Sequence, residues 1–431
     1  MKYTPLAIAL LVLGLTRSAG AQHVPRDQAV IGTSVVAAPN PLYESGALHK
    51  IIFGTDYRSV WAIPVSIPVL DIGNFAGGLT PLKQGGFGQT TSLHMRGADG
   101  LRYVFRSLDK NPERGLSDEL KRSVVAGVVR DQISSQHPYA SLVVPDLLEA
   151  IGVLHVVPTL YVMPDDPRLG EFQDDFAGLI GAIEERPNEG PDGEPGFAGA
   201  DAVKSSSGMY DDLEKRGQET VNEVSFLEAR LMDVFLGDRD RHFDQWRWAR
   251  IDNPDGSAQW YPVPKDRDQA FKVNDGLMMW AIRHHQPQYV SFGEEYGDIE
   301  GGTHNGRELD RRLLVGLERH IWDSVAVVIQ SRLTDELIEQ AVSNLPDEIF
   351  EASGERMIRE LKARRDNIPE MAADYYLLLA EVVDLHSSDD PDVAMINRMP
   401  NGKSTSTFEL ARAISISSEL SIPRRPRKSG Y

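Results

Sequence analysis

The chain has 431 residues, 41% of them hydrophobic and 25% charged, with 64 acidic against 45 basic side chains and no cysteine. That length buries one large core or two ordinary ones, and the apolar fraction excludes a disordered chain. The lack of cysteine excludes disulfide scaffolds, cysteine-ligated zinc, iron–sulfur clusters and thiol catalysis, and the formal charge of −19 speaks against a nucleic-acid partner.

The chain opens like a sorting signal. Lys2 is followed by an apolar run over 5–15 and by Ala19-Gly20-Ala21, a small-residue cleavage site, so residues 1–21 are expected to be removed before Gln22. The run is shorter than the ~20 residues that span a bilayer. The expected product is exported, periplasmic or secreted, with no transmembrane segment in the mature chain. Residues 22–45 are polar and proline-punctuated, a strap into the first lobe.

Residues 46–186 have a strand-rich texture. VWAIPVSIPVLDI (60–72) is β-branched, but Pro64 and Pro68 restrict it to an edge strand or extended segment. The segments SLHM and LRYVFRS bracket Gly97-Ala98-Asp99-Gly100, a hairpin signal. Residues 117–134 show a Ser/Asp cap and helical spacing, and LHVVPTLYVM (154–163) reads as a buried strand. Residues 187–220 are rich in Gly, Pro, Ser and acids and read as a flexible insertion or linker.

Residues 221–390 read as helical. EVSFLEARLMDVFLG (223–237) has one broad apolar face and stops at Gly237. Further helices are predicted over 309–331, 334–345, 354–366 and 369–384. KARRD (362–366) reads as a solvated helix face. Residues 391–431 lack periodicity and end in a basic tail. The fold class predicted is α+β, with two lobes joined near residue 186.

Chemistry concentrates in residues 235–271. Gly237 ends an apolar helix directly into Asp238, Asp240, His242 and Asp244, and a strand-like WYPVP (260–264) leads to Asp266-Arg267-Asp268. A helix that ends in carboxylates, followed by a hairpin carrying another carboxylate, places two acids at one cleft. Phosphoryl transfer uses such a pair: one acid orients or deprotonates the attacking hydroxyl and the other holds a divalent ion on the phosphates. His242 is expected to brace the loop by hydrogen bonds. No histidine pair has zinc-hydrolase spacing, and no G-x-S-x-G elbow or Walker-type phosphate loop is present. Trp246, Trp248 and Trp260 read as core.

The stretches GDRDRHFDQ and KDRDQAF resemble the catalytic and metal-binding loops of the atypical protein-kinase-like superfamily of HipA, CotH and secretory casein-kinase type. A looser similarity over residues 50–395 is to uncharacterised exported bacterial domains sometimes fused to outer-membrane barrels. It is carried by Tyr57 to Trp61, Phe75 to Pro81, Ser92 to Met95 and Tyr103 to Lys110.

The resemblance implies a strand-rich N-lobe over a helical C-lobe, a nucleoside triphosphate such as ATP, and Mg²⁺ or Mn²⁺. It implies Asp240 as the catalytic carboxylate, with His242 in the same loop. Asp266 is then the metal ligand, Asp268 a close second, and Gln245 stands in the metal-amide position. In the N-lobe, Gly85, Gly86, Gly88 and Thr90 are expected to approach phosphate, and Arg106 takes the phosphate-pairing position unless Lys110 fills it. Asp131, or Glu119, is the expected acidic partner of that cation. Residues 180–187, with Glu184, are expected as the hinge against the base. The pattern departs from the superfamily in Arg106, in Gln245 and in Asp238 where Asn is usual. These departures leave open adenylylation, or a degenerate kinase-shaped scaffold with an outer-membrane or envelope partner. A metal-dependent phosphohydrolase built on Asp238, Asp240, Asp266 and Asp268 is a third reading. The acceptor, a protein or a small molecule, is unspecified.

Overall fold

The computed structural model describes residues 23–382 apart from 56, 86–89, 113–115, 122 and 217, and the backbone of three strands beyond them. The sorting signal, Gly86, Gly88 and the basic tail lie outside the described residues. No helix among those described is long and apolar enough to cross a membrane.

A short strand β1 (Ser34–Ala37) pairs with β2 (Val65–Pro68). Between them lie helices α1 (Ala47–Phe53) and α2 (Arg58–Ala62). The 60–72 segment is therefore part helix and part strand, and Pro64 and Pro68 frame the strand. An antiparallel five-stranded sheet follows, in the order β3-β4-β5-β7-β6. Its strands are β3 (Leu79–Gly85), β4 (Thr90–Gly97), β5 (Arg102–Lys110), β6 (Thr159–Val162) and β7 (Ile180–Glu185).

The β4–β5 hairpin turns at Asp99-Gly100, where the Asp99 carboxylate accepts from the Leu101 N–H and Gly100 has φ +84°. Side chains alternate across the sheet. Leu93, Phe105 and Ile183 stand in register on one face, in a core with Met95, Met163 and Phe176. Ser92, Arg106 and Ala182 form the neighbouring row on the opposite face, which looks toward the second half of the molecule.

The single helix expected over 117–134 is interrupted. It forms α3 (Asp118–Lys121), α4 (Val124–Asp131) and a 3₁₀ turn. Ser123 restarts it, its hydroxyl accepting from the Val125 N–H. A buried helix α5 (Ala140–Ile151), unassigned from the sequence, carries Pro145 inside it.

Residues 187–220 are not a linker. They supply β8 (Ala202–Ser205), α6 (Ser206–Lys215) and β9 (Glu219–Val221). Both strands edge a second sheet around the hairpin β10 (Trp246–Asp252) and β11 (Ala258–Pro264), in the order β8-β10-β11-β9. Ala200, Val203, Met209 and Tyr210 anchor this stretch in the core, and four apolar anchors in a polar run are too few to announce it.

Helix α7 (Glu223–Leu236) is capped by the Asn222 side chain and ends at Gly237, φ +67°. Further on come α8 (Gly276–Arg283), α9 (Arg307–Leu313), α10 (Arg319–Arg332), α11 (Asp335–Ser343), α12 (Glu355–Asp366) and α13 (Ile368–Ala380). The expected 309–331 helix is thus two helices. Residues 392–398, 404–410 and 415–420 form a three-stranded antiparallel sheet, although the sequence there lacks periodicity.

The molecule is α+β, a strand-rich first half against a helix-rich second half. The largest core joins them. Val143, Val144 and Leu147 of α5 lie in one cluster with Phe226 and Leu231 of α7, Ile338 of α11 and the tryptophans 246, 248 and 260.

Candidate active site

The loop after α7 is held from beneath. Asp238 is 2% exposed. It meets Arg241 at 3.1 Å and Arg267 at 3.2 Å, and one oxygen accepts from the Asp240 N–H. Arg241, itself buried, donates to the carbonyls of Lys265 and Asp266, 2.6 Å each. Below them Arg267 pairs with Asp233, which Arg230 also holds. This network locks residues 238–241 to residues 265–267. A buried charge is tolerable when paired and hydrogen-bonded in this way. Asp238 is therefore a brace turned inward, and the four-carboxylate hydrolase set loses that member.

Asp240 projects outward, its side chain 41% exposed. Gln245 donates to it at 3.4 Å, and His242 Nε2 stands 3.7 Å away. His242 Nδ1 accepts from the Asp244 N–H and caps the 3₁₀ turn Phe243–Gln245, the bracing arrangement read from the sequence. Among the described residues no side-chain hydrogen bond joins Gln245 to Asp266 or Asp268; its carbonyl accepts from the Lys265 N–H.

From the first half, Arg106 and Lys110 lie four residues apart on β5. Arg106 donates to Glu184 of β7 at 3.1 Å and stands 3.5 Å from Asp266. Lys110 is ion-paired to Asp268. Asp266 holds a left-handed backbone, φ +55°, which aspartate tolerates and which turns its carboxylate toward β5. Burial opposes its ionisation, but Arg106 and Lys110 outweigh that and hold the Asp266 carboxyl well below the usual range. Burial and the adjacent Asp266 push Asp268 up to about 7. The two acids act on each other, so they titrate as a pair.

Two expectations about pairing are corrected. Asp131 is not the partner of Arg106. It is bound by Arg58 at 2.9 and 2.7 Å and by His49 at 2.9 Å, away from the cleft. Glu119 is exposed. The acid beside Arg106 is Glu184, which the sequence resemblance places in the hinge. Helix α4 instead sends Arg130 to Asp109 at 2.7 Å and to the Lys110 carbonyl, which fixes the end of β5 and so the root of Lys110. Tyr43 and Asn40 complete that knot on Asp109, at 2.7 and 3.0 Å.

Gly85 ends β3 and Thr90 begins β4. A Cβ on Gly85 would stand 2.6 Å from His94 Nε2, so the strand passes too close for a side chain.

Arg106, Glu184, Asp266 and Asp268 line one cleft of about 540 Å³, counting its open mouth, with Trp61 and His137 in its inner wall. Asp240 stands outside those walls, and its charge reaches Lys110 and Lys272. Lys272, missed in the sequence, hydrogen-bonds Gln269 at 3.3 Å. Burial, with Arg239 and Lys110 nearby, brings it down to about 7.

Hard divalent cations take oxygen ligands, and Mg²⁺ commonly sits on one or two carboxylates with waters and phosphate oxygens. Among the described residues no cluster of three acidic or histidine ligands exists. The neighbouring carboxylates of Asp266 and Asp268 fit the two-carboxylate form.

No protein-family model matches the chain, and no curated protein matches it. Among the solved structures that are similar at low level are these two. One is the proinflammatory kinase CtkA of Helicobacter pylori, 12% identical, with a TM-score of 0.36 over 69% of this chain and 96% of that one. The other is HipA of a Shewanella oneidensis MR-1 toxin–antitoxin system, seen with HipB and operator DNA, 12% identical, with a TM-score of 0.34 over 69% of this chain and 67% of that one.

Proposed function

We propose that the chain is a kinase-like phosphotransferase that takes a nucleoside triphosphate with a divalent cation. One observation carries the reading. Two cations on the same strand, Arg106 and Lys110, each face one of two acids, Asp266 and Asp268, delivered by a loop of the other half, and the charge of the outward Asp240 reaches Lys110.

Phosphoryl transfer is mostly positioning and charge neutralisation. Asp266 and Asp268 hold the cation, which supplies charge neutralisation on the phosphates when bound. Arg106 and Lys110 then exchange their carboxylate partners for phosphate oxygens, Arg106 with the planar fork suited to them. Glu184 keeps Arg106 aimed into the cleft. Asp240, solvent-facing and oriented by Gln245, accepts the proton of an acceptor hydroxyl. Export through residues 1–21 and an acceptor beyond the membrane belong to this reading, an envelope partner to the scaffold reading below, and all rest on the sequence pattern.

A binding scaffold without turnover is the second reading. Its support is that Arg106 and Lys110 are already ion-paired within the protein, so the polar network closes on itself.

A thermal-shift titration with ATP and Mg²⁺ tests the proposal. Wild type and Asp240→Ala are expected to gain stability with ligand, by about 2–3 kcal/mol at a hundredfold excess over Kd, and Asp266→Ala to gain little. Stabilisation without any phosphate transfer or ATP hydrolysis selects the scaffold. No stabilisation in any of the three removes the nucleotide.

A further inference from the structure

The cleft-facing side of the first sheet is unusually basic for a chain of charge −19. Lys83 of β3 pairs in register with His94 of β4, and His94 with Val104 of β5, so Lys83 and His94 share that face with Arg106. Arg186 follows β7, its N–H bonded to the Arg102 carbonyl. From the facing sheet come Arg247 of β10 and Lys265, the residue after β11.

The two acids within this group, Glu184 and Asp266, are both committed to Arg106, at 3.1 and 3.5 Å. Among the described residues Arg186, Arg247 and Lys265 have no side-chain hydrogen bond or ion pair, and the Arg247 Nε is buried without a partner. The three act on one another as like charges. Burial and then Arg247 bring Arg186 down to about 10. Burial and then Arg186 bring His94 down to about 4. Half-buried cations without counter-charges are costly unless an anion completes them.

We propose that Arg186, Arg247 and Lys265 form an anion site next to Arg106, which takes a phosphate group of a polyphosphorylated ligand. The site goes beyond the transferase reading, since it needs neither the divalent cation nor turnover. Its ligand chemistry is an extended polyphosphate, supplied by a nucleotide's own phosphate chain or by a polyphosphate that carries no base.

Calorimetric binding of inorganic tripolyphosphate to the full chain, in chelator and at two salt concentrations, tests it. Wild type is expected to bind with an affinity that falls as salt rises. Arg186→Gln/Arg247→Gln is expected to bind at least tenfold more weakly, while Arg247→Lys keeps most of the affinity. Unchanged circular dichroism and melting temperature in the double variant exclude misfolding as the cause.

The same titration with ATP separates the two sources. If the double variant loses both ligands, the phosphate chain of a nucleotide occupies the site. If it loses tripolyphosphate alone, a base-free polyphosphate does. Equal tripolyphosphate affinity in wild type and double variant, or no binding to wild type, overturns the proposal. If ATP with Mg²⁺ fails to stabilise the protein but tripolyphosphate binding still depends on Arg186 and Arg247, the transferase reading falls and this site stands.

Discussion

Asp268 is the side chain on which the site's pH behaviour turns. Its ordinary value is 3.8, and burial with the adjacent Asp266 pushes it up to about 7 in the folded protein. Between about pH 4 and 7 the folded state therefore keeps a proton that the unfolded state has lost. This group's contribution to stability is then largest below pH 4 and declines as pH rises through 7. Glu223, pushed up to about 7 by burial, adds a decline of the same sign, so only a comparison isolates Asp268. Asp268→Asn removes its titration and keeps the shape. Melting temperatures of wild type and variant, measured from pH 4 to pH 8, are expected to change in the variant's favour by a few degrees as pH rises. A constant gap across that range means that Asp268 ionises normally. The same proton competes with a divalent cation, so cation binding strengthens over this interval.

Among the helices, α7 has the most to do, because its C-terminus sets the position of the Asp238–Asp240 loop. That end is capped by a side chain from far along the chain. Arg364 of α12 donates to the carbonyls of Val234 and Phe235 at 2.6 and 2.7 Å, and to those of Gly293 and Glu295 at 3.1 and 2.8 Å. It is 2% exposed, and burial lowers it to about 10. Arg364→Ala strips a charged donor from four carbonyls. It is expected to destabilise the protein by about 3 kcal/mol or more, read in urea unfolding. A loss under about 1 kcal/mol would show that water replaces the guanidinium.

From the sequence, KARRD reads as a solvated face because charge runs usually are. Its neighbours Lys362 and Arg365 do pair at the surface with Asp335, and only the fold separates Arg364 from them. The same limit explains the partner assigned to Arg106. The hairpin and the Asp-rich loops are local patterns and were readable. Whether Asp131 or Glu184 meets Arg106 depends on how α4 packs against the sheet, and no spacing encodes that. Helix α5 escaped for another reason: Pro145 looks like a breaker, yet it is buried in the core among Val143, Val144 and Leu147.

At the scale of the whole molecule, the two halves are one folding unit despite their different textures. Helix α5 belongs to the first half by sequence, but its apolar side is part of the core built by α7, α10 and α11. Polar ties cross the same boundary. Arg332 donates to the Ile151 carbonyl at 3.0 Å, Asn344 to Asp146 at 3.0 Å, and Tyr57 to the Phe271 carbonyl at 2.9 Å. His137, lowered to about 3 by burial, hydrogen-bonds Ser353 at 3.1 Å. Separating the halves would expose Val143, Val144, Leu147 and Leu148, each at most 1% exposed when folded. Burial of such side chains is worth roughly 1.5–3 kcal/mol apiece, a large share of the 5–15 kcal/mol that holds a typical domain together. Scanning calorimetry of residues 23–382 is therefore expected to show one transition with equal calorimetric and van't Hoff enthalpies. A fragment of residues 23–186 is expected to lack a cooperative melt. Two resolved transitions, or a fragment that melts sharply alone, would make the halves independent domains. The cleft between Arg106 and Asp266 would then be a hinge whose width is set by ligand rather than by the shared core.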